Sequence, residues 1–189
     1  MHRLALGSVV VALSVLGTQA ALAQNMTVTS AEITDGAVSK TEQEANVFGC
    51  KGGNVSPSLK WSGAPSDAKS FAINLYDPDA PTGSGFWHWI AFNIPASTTS
   101  LPKDAGDVKK KLMPKGAIQS RNDYGFYGFG GMCPPQGDKP HHYTLTVYAV
   151  DEDKLQFAKD KNISPAVVGF ELHFHSKAKA ELHWTYSRQ

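Results

Sequence analysis

The chain has 189 residues, of which 41% are hydrophobic, and its 18 Lys and Arg residues nearly balance its 17 Asp and Glu residues. This length and composition predict a folded protein with a sizeable core, within the size range of a single domain. Charges of both signs are interspersed along the chain. We therefore expect neither nucleic acid nor an anionic membrane surface as a partner, since both require a basic stripe.

The first 23 residues predict a signal peptide. Arg3 precedes an apolar run from Leu4 to Leu16, which is too short to span a bilayer, and Ala21-Leu22-Ala23 provides a small-residue cleavage site. We expect cleavage after this site and a single domain over residues 24–189. A short membrane anchor is the alternative, but no lipidation cysteine follows the apolar run. The expectation is an exported protein, periplasmic or secreted, without a stable membrane anchor.

Strands dominate the predicted secondary structure. Alternation of apolar residues with period two predicts three clear strands, over residues 71–76, 89–94 and 143–149. Glycine and proline separate these segments at spacings typical of turns. Weaker strand patterns occupy Met26–Ile33, Ser58–Trp61, Ala117–Arg121 and Ala180–Tyr186.

Helical signals are fewer and lie near the end of the chain. Ser164 followed by Pro165 predicts a helix start, with a capping hydroxyl and a proline in the first turn. The residues Val167, Phe170, Phe174 and Ala178 are spaced to form one apolar stripe of that helix. A second short helix is predicted near Asp151–Asp160. The interpretation is a β-rich domain with a few peripheral helices.

Two cysteines, Cys50 and Cys133, remain after the predicted cleavage, and both lie in glycine-rich stretches. In an oxidising compartment an isolated pair of loop cysteines favours a disulfide. Two free thiols are the alternative, because the sequence does not show whether the Cβ atoms approach each other. A catalytic Cys–His pair is disfavoured because nothing marks either thiol as activated.

Three polar residues stand at the ends of predicted strands, each beside a loop rich in proline or glycine. Asp77 is in phase with the apolar residues of strand 71–76, and His141 is in phase with those of strand 143–149. His88 is in phase with Ile90, Phe92 and Ile94, and it opens its strand. If the first two strands form a hairpin, Asp77 and His88 emerge at the same end.

This constellation predicts a small anion-binding pocket. Buried polar groups need partners, so the acid is expected to accept from one imidazole and to orient it. The remaining imidazole N–H groups, with loop amides, can then donate to an anionic oxygen. The alternative is a structural network of histidines and an acid that seals the end of the sheet.

A series of motifs follows in order over nearly the whole predicted mature chain. They are Asn54-Val55-Ser56-Pro57-Ser58-Leu59-Lys60-Trp61, Asp77-Pro78-Asp79-Ala80-Pro81-Thr82-Gly83-Ser84-Gly85, His88-Trp89 with Asn93-Ile94-Pro95, Asn122-Asp123-Tyr124-Gly125, Pro134-Pro135-x-Gly137, His141-x-Tyr143 and Gly169-Phe170-x-x-His173-Phe174-His175. With these motifs the chain resembles the phosphatidylethanolamine-binding protein family, in its bacterial Raf-kinase-inhibitor-like branch.

The resemblance implies a mainly β fold, a sandwich with a central antiparallel sheet, a second sheet and a few peripheral helices. It also implies a small pocket for phosphate- or carboxylate-type anions. Carried over by position, the ligand-binding residues are Asp77, His88, Pro135, His141 and Tyr143.

Two positions depart from the family pattern. His142 stands where the family usually has an arginine, so any ion pair made by that arginine is in question. Cys133 stands where mammalian members have glycine, and a bridge from it to Cys50 would shape the pocket rim beside Pro134 and Pro135.

Three functions follow, and the first is preferred. It is a protein that binds a small anionic ligand or an anionic head group, with no cofactor, no metal and no catalysis, and that can act as a regulator. The second is an interaction module that inhibits a partner protease or kinase. The third is a zinc-dependent hydrolase that uses Asp77, Asp79, His88 and His141. It is disfavoured because the sequence contains no nucleophile elbow, no His-x-x-x-His pair and no phosphate-binding glycine loop.

Overall fold

The computed structural model describes residues 25–188, which fold into two β-sheets, one α-helix and a short 3-10 turn at Thr41–Gln43. The larger sheet has six strands, in the spatial order β2 (Ala37–Val38), β9 (Ser176–Tyr186), β8 (His141–Val150), β4 (Ser70–Asp77), β5 (Phe86–Pro95) and β7 (Ile118–Gln119). The smaller sheet has the order β1 (Thr27–Thr29), β3 (Leu59–Ser62) and β6 (Ser100–Leu101). All pairs are antiparallel except β2 with β9.

The main core lies between the two sheets. Trp61 of β3 packs against Phe71 of β4, with ring centroids 5.4 Å apart, and Trp89 and Trp184 are completely covered nearby. The mainly β sandwich expected from the sequence is confirmed. Each of the weaker strand patterns also contains a strand, although the first and third are only three and two residues long.

The opposite face of the large sheet carries a second apolar cluster, so its central strands are buried on both sides. Ile90 and Phe92 of β5 lie in this second cluster, whereas Trp89, Ala91 and Ile94 lie in the main core. The sequence pattern had placed Ile94 with Ile90 and Phe92, and this was wrong. The pairing shifts register between Phe71 and Ile73 of β4, and Asn93 has φ +56°, so alternation along β5 is interrupted there.

The helix α1 (Pro165–His175) begins where the sequence predicts, because the Ser164 hydroxyl accepts from the N–H of Val167 at 3.4 Å. Its predicted apolar stripe is wrong. The helix buries Val168, Glu171 and Leu172. It leaves Phe170 and Phe174, two members of the predicted stripe, largely exposed. The predicted stripe also required helix as far as Ala178, which lies in β9 because the chain is already paired with β8 from Ser176 onward.

The second predicted helix, near Asp151–Asp160, is also wrong, since this segment is irregular. Two of its backbone N–H groups donate to side chains from other elements. The N–H of Leu155 donates to Asn93 Oδ1 at 2.9 Å, and the N–H of Phe157 donates to the carboxylate of Glu171. These tertiary hydrogen bonds compete with the local bonds that a helix would need.

The predicted signal peptide, residues 1–23, lies outside the described residues. Within the part that is described, no helix has the length and apolarity needed to cross a bilayer.

Candidate functional site

A cavity of ≈ 150 Å³ opens at the end of the large sheet, where β4 ends and where β5 and β8 begin. Four of the five residues predicted to bind a ligand line it: Asp77, His88, Pro135 and His141. The fifth, Tyr143, does not. Its ring lies behind the two imidazoles, with centroids 5.3 Å from that of His88 and 6.5 Å from that of His141. The other lining residues are Phe48, Ala80, Pro81, Thr82, Phe86, Tyr124, Cys133 and Pro134.

The loop 78–85 joins β4 to β5 and holds Asp77 in place. Oδ1 of Asp77 accepts from the backbone N–H of Asp79 at 2.8 Å, so the side chain itself closes a turn. Gly85, at the end of the loop, has φ +67°, and a Cβ atom there would lie 2.1 Å from the hydroxyl oxygen of Tyr76. Glycine is therefore required for the loop to return to β5.

A β-bulge directs His88 into the cavity. Leu75 of β4 pairs with Trp89 of β5, but the next residue, Tyr76, pairs with Trp87. His88 is thus an extra residue on β5, opposite no residue of β4. Strict alternation would have turned its side chain toward the helix-covered face, where Ile90 lies.

The sequence argument therefore placed His88 beside Asp77 for the wrong reason. The face shared with Ile90 is the opposite face from that of Asp77, and the bulge moves the imidazole across. Its ring centroid lies 5.0 Å from that of Phe86, and Tyr124 and Tyr143 complete the surrounding ring contacts. Pairing irregularities of this kind have no signature in the alternation of apolar residues.

Two backbone carbonyls determine the tautomer of His88. Its Nδ1 lies 2.9 Å from the oxygen of Gly130 and 3.0 Å from that of Gly131, so Nδ1 carries a proton and donates. Burial lowers the pKa of His88 despite these bonds and the nearby charge of Asp77, and the ring is neutral at pH 7. Its Nε2 is buried without a hydrogen-bond partner among the described residues. The neutral ring has no second N–H for an anion, contrary to the sequence-based expectation.

His141 has the opposite character. Its Nδ1 lies 2.7 Å from Oδ2 of Asp77, and its Nε2 lies 3.4 Å from Oδ2 of Asp138. Burial acts to lower the pKa of His141, but the hydrogen bond and charge of Asp77, followed by those of Asp138, outweigh it and raise the pKa. Because both nitrogens face carboxylates, the surroundings of His141 favour its cationic form, and Asp77 orients the ring.

His142 and Asp79 form a separate pair outside the cavity. Both the ring Nδ1 and the backbone N–H of His142 donate to Oδ2 of Asp79, at 2.7 and 2.8 Å. The hydrogen bond from the His142 ring lowers the pKa of Asp79. The histidine that replaces the family's arginine thus has an acidic partner, and Asp79 is not free to join Asp77 around a metal ion.

Aromatic residues that the sequence argument did not assign to the site form one wall. The ring of Tyr124 lies 5.3 Å from that of Phe48 and 4.7 Å from that of Phe86, and its hydroxyl donates to the oxygen of Gly131 at 2.8 Å. Burial raises the pKa of Tyr124. The motif at 122–125 contains Tyr124 and could have drawn attention to this residue, but nothing in the motif indicates that its ring contacts His88.

Tyr143 supports the cavity from behind. Burial, with the nearby charge of Asp77 added, raises the pKa of its hydroxyl, so the phenol of Tyr143 stays neutral. The hydroxyl is covered and makes no hydrogen bond of ordinary geometry within the described residues.

The predicted disulfide between Cys50 and Cys133 is confirmed, with Cα atoms 5.9 Å apart. Cys133 lines the cavity, so the bridge ties the rim at Pro134 to a distant loop. Arg188 lies over the bridge, with Nη1 3.2 Å from Sγ of Cys50, and its backbone oxygen accepts from the N–H of Gly137 at 3.0 Å. The loop 133–137, which includes the rim of the cavity, is therefore held by the disulfide at Cys133 and by the C-terminal segment at Gly137.

Comparison with known proteins identifies the family. The family model for phosphatidylethanolamine-binding protein matches residues 29–187. The chain is 51% identical to the UPF0098 protein YbcL of Escherichia coli K12 over 175 residues, 93% of each chain. It is 45% identical to the UPF0098 protein YbhB of the same organism over 137 residues, which cover 72% of this chain and 84% of YbhB.

The structure leads to the same family. The crystal structure of E. coli YbcL, a new member of the mammalian PEBP family, superposes with a TM-score of 0.84 and covers 87% of this chain and 99% of that one. The resemblance inferred from the motifs is confirmed by these matches. The chain belongs to the phosphatidylethanolamine-binding protein family.

Proposed function

We propose that this protein binds a phosphate- or carboxylate-type anion, or the anionic head group of a larger molecule, in the cavity formed around His141. One observation carries the proposal: the buried imidazole of His141 is held by Asp77 at 2.7 Å and is placed as a cationic donor at the cavity wall. Charge-assisted hydrogen bonds of this kind are shorter and stronger than neutral ones.

The size of the cavity limits the ligand. At ≈ 150 Å³ it is smaller than the roughly 300–1,000 Å³ of sites for drug-sized molecules. It can enclose a head group but not a whole lipid. The apolar rim, which includes Phe48, Pro81 and Pro134, offers contacts to whatever is attached to that head group.

The charge balance of the cavity explains how an anion would enter. The cationic His141 is flanked by Asp77, which is almost fully covered, and by Asp138, whose side chain is 42% exposed. Asp138 can turn into solvent, whereas Asp77 cannot. A ligand oxygen would take the place of the Asp138 carboxylate at Nε2 of His141, and Asp77 would keep its orienting role.

The same geometry supports binding rather than catalysis. Of the four residues considered as zinc ligands, Asp77, His88 and His141 line the cavity, whereas Asp79 does not and is engaged by His142. Within residues 25–188, these four do not bring their ligand atoms within 4.8 Å of one another. Export is part of the proposal, and the confirmed disulfide supports it, since such bridges persist in oxidising compartments.

A protein partner is a second candidate, favoured by one feature of the rim. Phe48 stands beside the cavity with 72% of its surface exposed. An exposed aromatic residue at the mouth of a pocket suits an interface in which occupancy of the cavity alters the binding of a protease or kinase.

Thermal unfolding of residues 24–189 with phosphate, phosphomonoesters, acetate or zinc tests the proposal, because a ligand stabilises by an amount that grows with the logarithm of its concentration. We expect the anions to raise Tm in the wild type and in His142→Ala, whose side chain lies outside the cavity, but not in His141→Ala. An equal shift in His141→Ala would reject the cavity. Stabilisation by zinc alone would favour a metal site, and a failure of every anion to bind would direct attention to Phe48 and protein partners.

A further inference from the structure

A second concave surface lies at the edge of the large sheet formed by β7, and none of the residues that line it also lines the cavity. Its volume is ≈ 620 Å³, and it is bordered by Val108, Lys111, the segments 113–119 and 159–161, and Tyr127. Four lysines line it, Lys111, Lys115, Lys159 and Lys161, against a single acid, Asp160. We call this surface the lysine groove.

The charge of the lysine groove is not compensated by the protein. Several other lysines have acidic partners: Lys103 with Glu42, Lys110 with Asp104, Lys177 with Asp67 and Asp151, and Lys179 with Glu181. Within residues 25–188, by contrast, none of the four groove lysines has a carboxylate oxygen within 4.0 Å. Asp160 accepts instead from the backbone N–H of Asn162 at 2.6 Å. Since the predicted mature chain is formally neutral, the groove concentrates positive charge that an anion would relieve.

The floor of the lysine groove is apolar and firmly held. Met113 and Ile118 are partly buried there, and both pack against the protein's apolar clusters. Gln119 of β7 accepts from Trp89 Nε1 at 2.7 Å and donates to the oxygen of Ala105 at 3.1 Å. The floor is therefore fixed on both sides, as expected of a site that is formed before its ligand arrives.

One wall of the groove is aromatic. The ammonium of Lys161 lies 4.4 Å from the ring centroid of Tyr127, and the guanidinium carbon of Arg121 lies 5.9 Å from it. The hydroxyl of Tyr127 donates to Oδ1 of Asn162 at 2.5 Å. These contacts hold a cation and a flat ring at fixed positions beside the open volume.

From these features we infer that the lysine groove is a second binding site, for a small molecule that joins two or more phosphate-type groups to an aromatic or apolar body. Several ammonium groups favour a multiply charged anion over a single charge. The apolar floor formed by Met113 and Ile118 favours a ligand with an uncharged, apolar part. This inference does not depend on the cavity around His141, with which the groove shares no lining residue.

Titration with adenosine triphosphate, tripolyphosphate and orthophosphate, followed by calorimetry, tests the inference. We expect the triphosphate nucleotide to bind most tightly, tripolyphosphate less tightly, and orthophosphate too weakly at this site to be measured. Equal binding of nucleotide and tripolyphosphate would overturn the role of the apolar floor. Binding that survives a rise in ionic strength from about 0.1 M to about 1 M would overturn the electrostatic basis, because such salt screens exposed charges.

Variants separate the lysine groove from general charge. Lys115→Gln/Lys161→Gln should weaken nucleotide binding at least tenfold, whereas Lys60→Gln/Lys69→Gln, two exposed lysines outside the groove, should leave it unchanged. Equal losses in both variants, or no loss in the first, would reject the site. His141→Ala should bind nucleotide like the wild type, so the outcome is independent of whether the cavity binds anions.

Discussion

The cavity at the end of the large sheet and the lysine groove at its β7 edge are suited to anions in different ways. The cavity depends on a few buried groups, Asp77, His88 and His141, whose positions are determined by strand ends and hydrogen bonds. The groove presents exposed ammonium groups above an apolar floor. Buried hydrogen bonds are directional, whereas exposed charges act through screened Coulomb forces. We therefore expect the cavity to select a ligand by its geometry and through the protonation state of His141. The lysine groove should select a ligand by the number of its negative charges.

Breaking the disulfide should have the largest effect and should separate the two sites. The variant Cys50→Ser/Cys133→Ser should lose roughly 4 kcal/mol of unfolding free energy, because the bridge closes a loop with a sequence separation of 83 residues. Urea unfolding measures this loss. Phosphate binding should also weaken because Cys133 lines the cavity, while nucleotide binding in the groove should persist. An unchanged stability, or equal weakening of both ligands, would contradict this expectation.

Removing the charged residues of one site should weaken ligand binding at that site and leave the other site unaffected. His141→Ala removes a charge-assisted hydrogen bond of about 1.5–3 kcal/mol, which corresponds to roughly a tenfold to hundredfold loss of phosphate affinity. Lys115→Gln/Lys161→Gln should leave phosphate affinity in the cavity intact. Calorimetry of phosphate and of adenosine triphosphate with each variant measures the four affinities. A loss of both ligands in either variant would show that the sites are not independent.

The pH dependence should distinguish the two histidines of the cavity. His141 has a raised pKa in the folded protein, so it keeps its positive charge below the ordinary histidine value of about 6.5 and loses it as the pH rises through the higher folded-state pKa. Acetate stays ionised near these pH values. Its binding should therefore be strongest below about pH 6.5 and should weaken as the pH rises. Folding stability contributed by His141 follows the same direction.

The lowered pKa of His88 acts in the opposite direction. Its stability contribution is full above about pH 6.5 and falls as the pH drops, because the unfolded chain then binds the proton more readily. Acetate titrations and thermal unfolding at several pH values measure these effects. Acetate binding that strengthens with rising pH would contradict the role of His141.

Replacing Asp138 by asparagine should have the smallest effect. Asp138 competes with the ligand for Nε2 of His141, but it is substantially exposed, and exposed pairs contribute only about 0.2–1 kcal/mol. We expect phosphate to bind about threefold more tightly to Asp138→Asn, as measured by calorimetry. Weaker binding would mean that Asp138 assists the ligand rather than competing with it.

Much of the site could be predicted from the sequence because strand ends have a simple signature. Asp77 and His141 each follow the phase of a clear apolar alternation, and the structure places both at the cavity. Tyr143 shares the phase of His141, but phase does not report depth, and its ring lies one layer behind the cavity.

Other features depended on contacts between distant residues. The bulge at His88 arises from how β5 pairs with β4, which no pattern within β5 records. The helix predicted near Asp151–Asp160 failed because Asn93 and Glu171 supply tertiary hydrogen bonds to that segment. The aromatic wall requires Phe48 and Tyr124 to meet, although they are far apart in the sequence.

The sequence by itself determined the family, the mainly β fold and the strand ends that carry Asp77 and His141, and it favoured a bridge between the two loop cysteines that the structure then confirmed. These follow from local periodicity, motif order and residue chemistry, which a linear chain displays directly. Only the tertiary structure decided the direction of His88, the opposite protonation tendencies of the two cavity histidines and the gathering of the groove lysines. Burial and neighbouring charge control these properties, and both are created by residues that the fold brings together from distant parts of the chain.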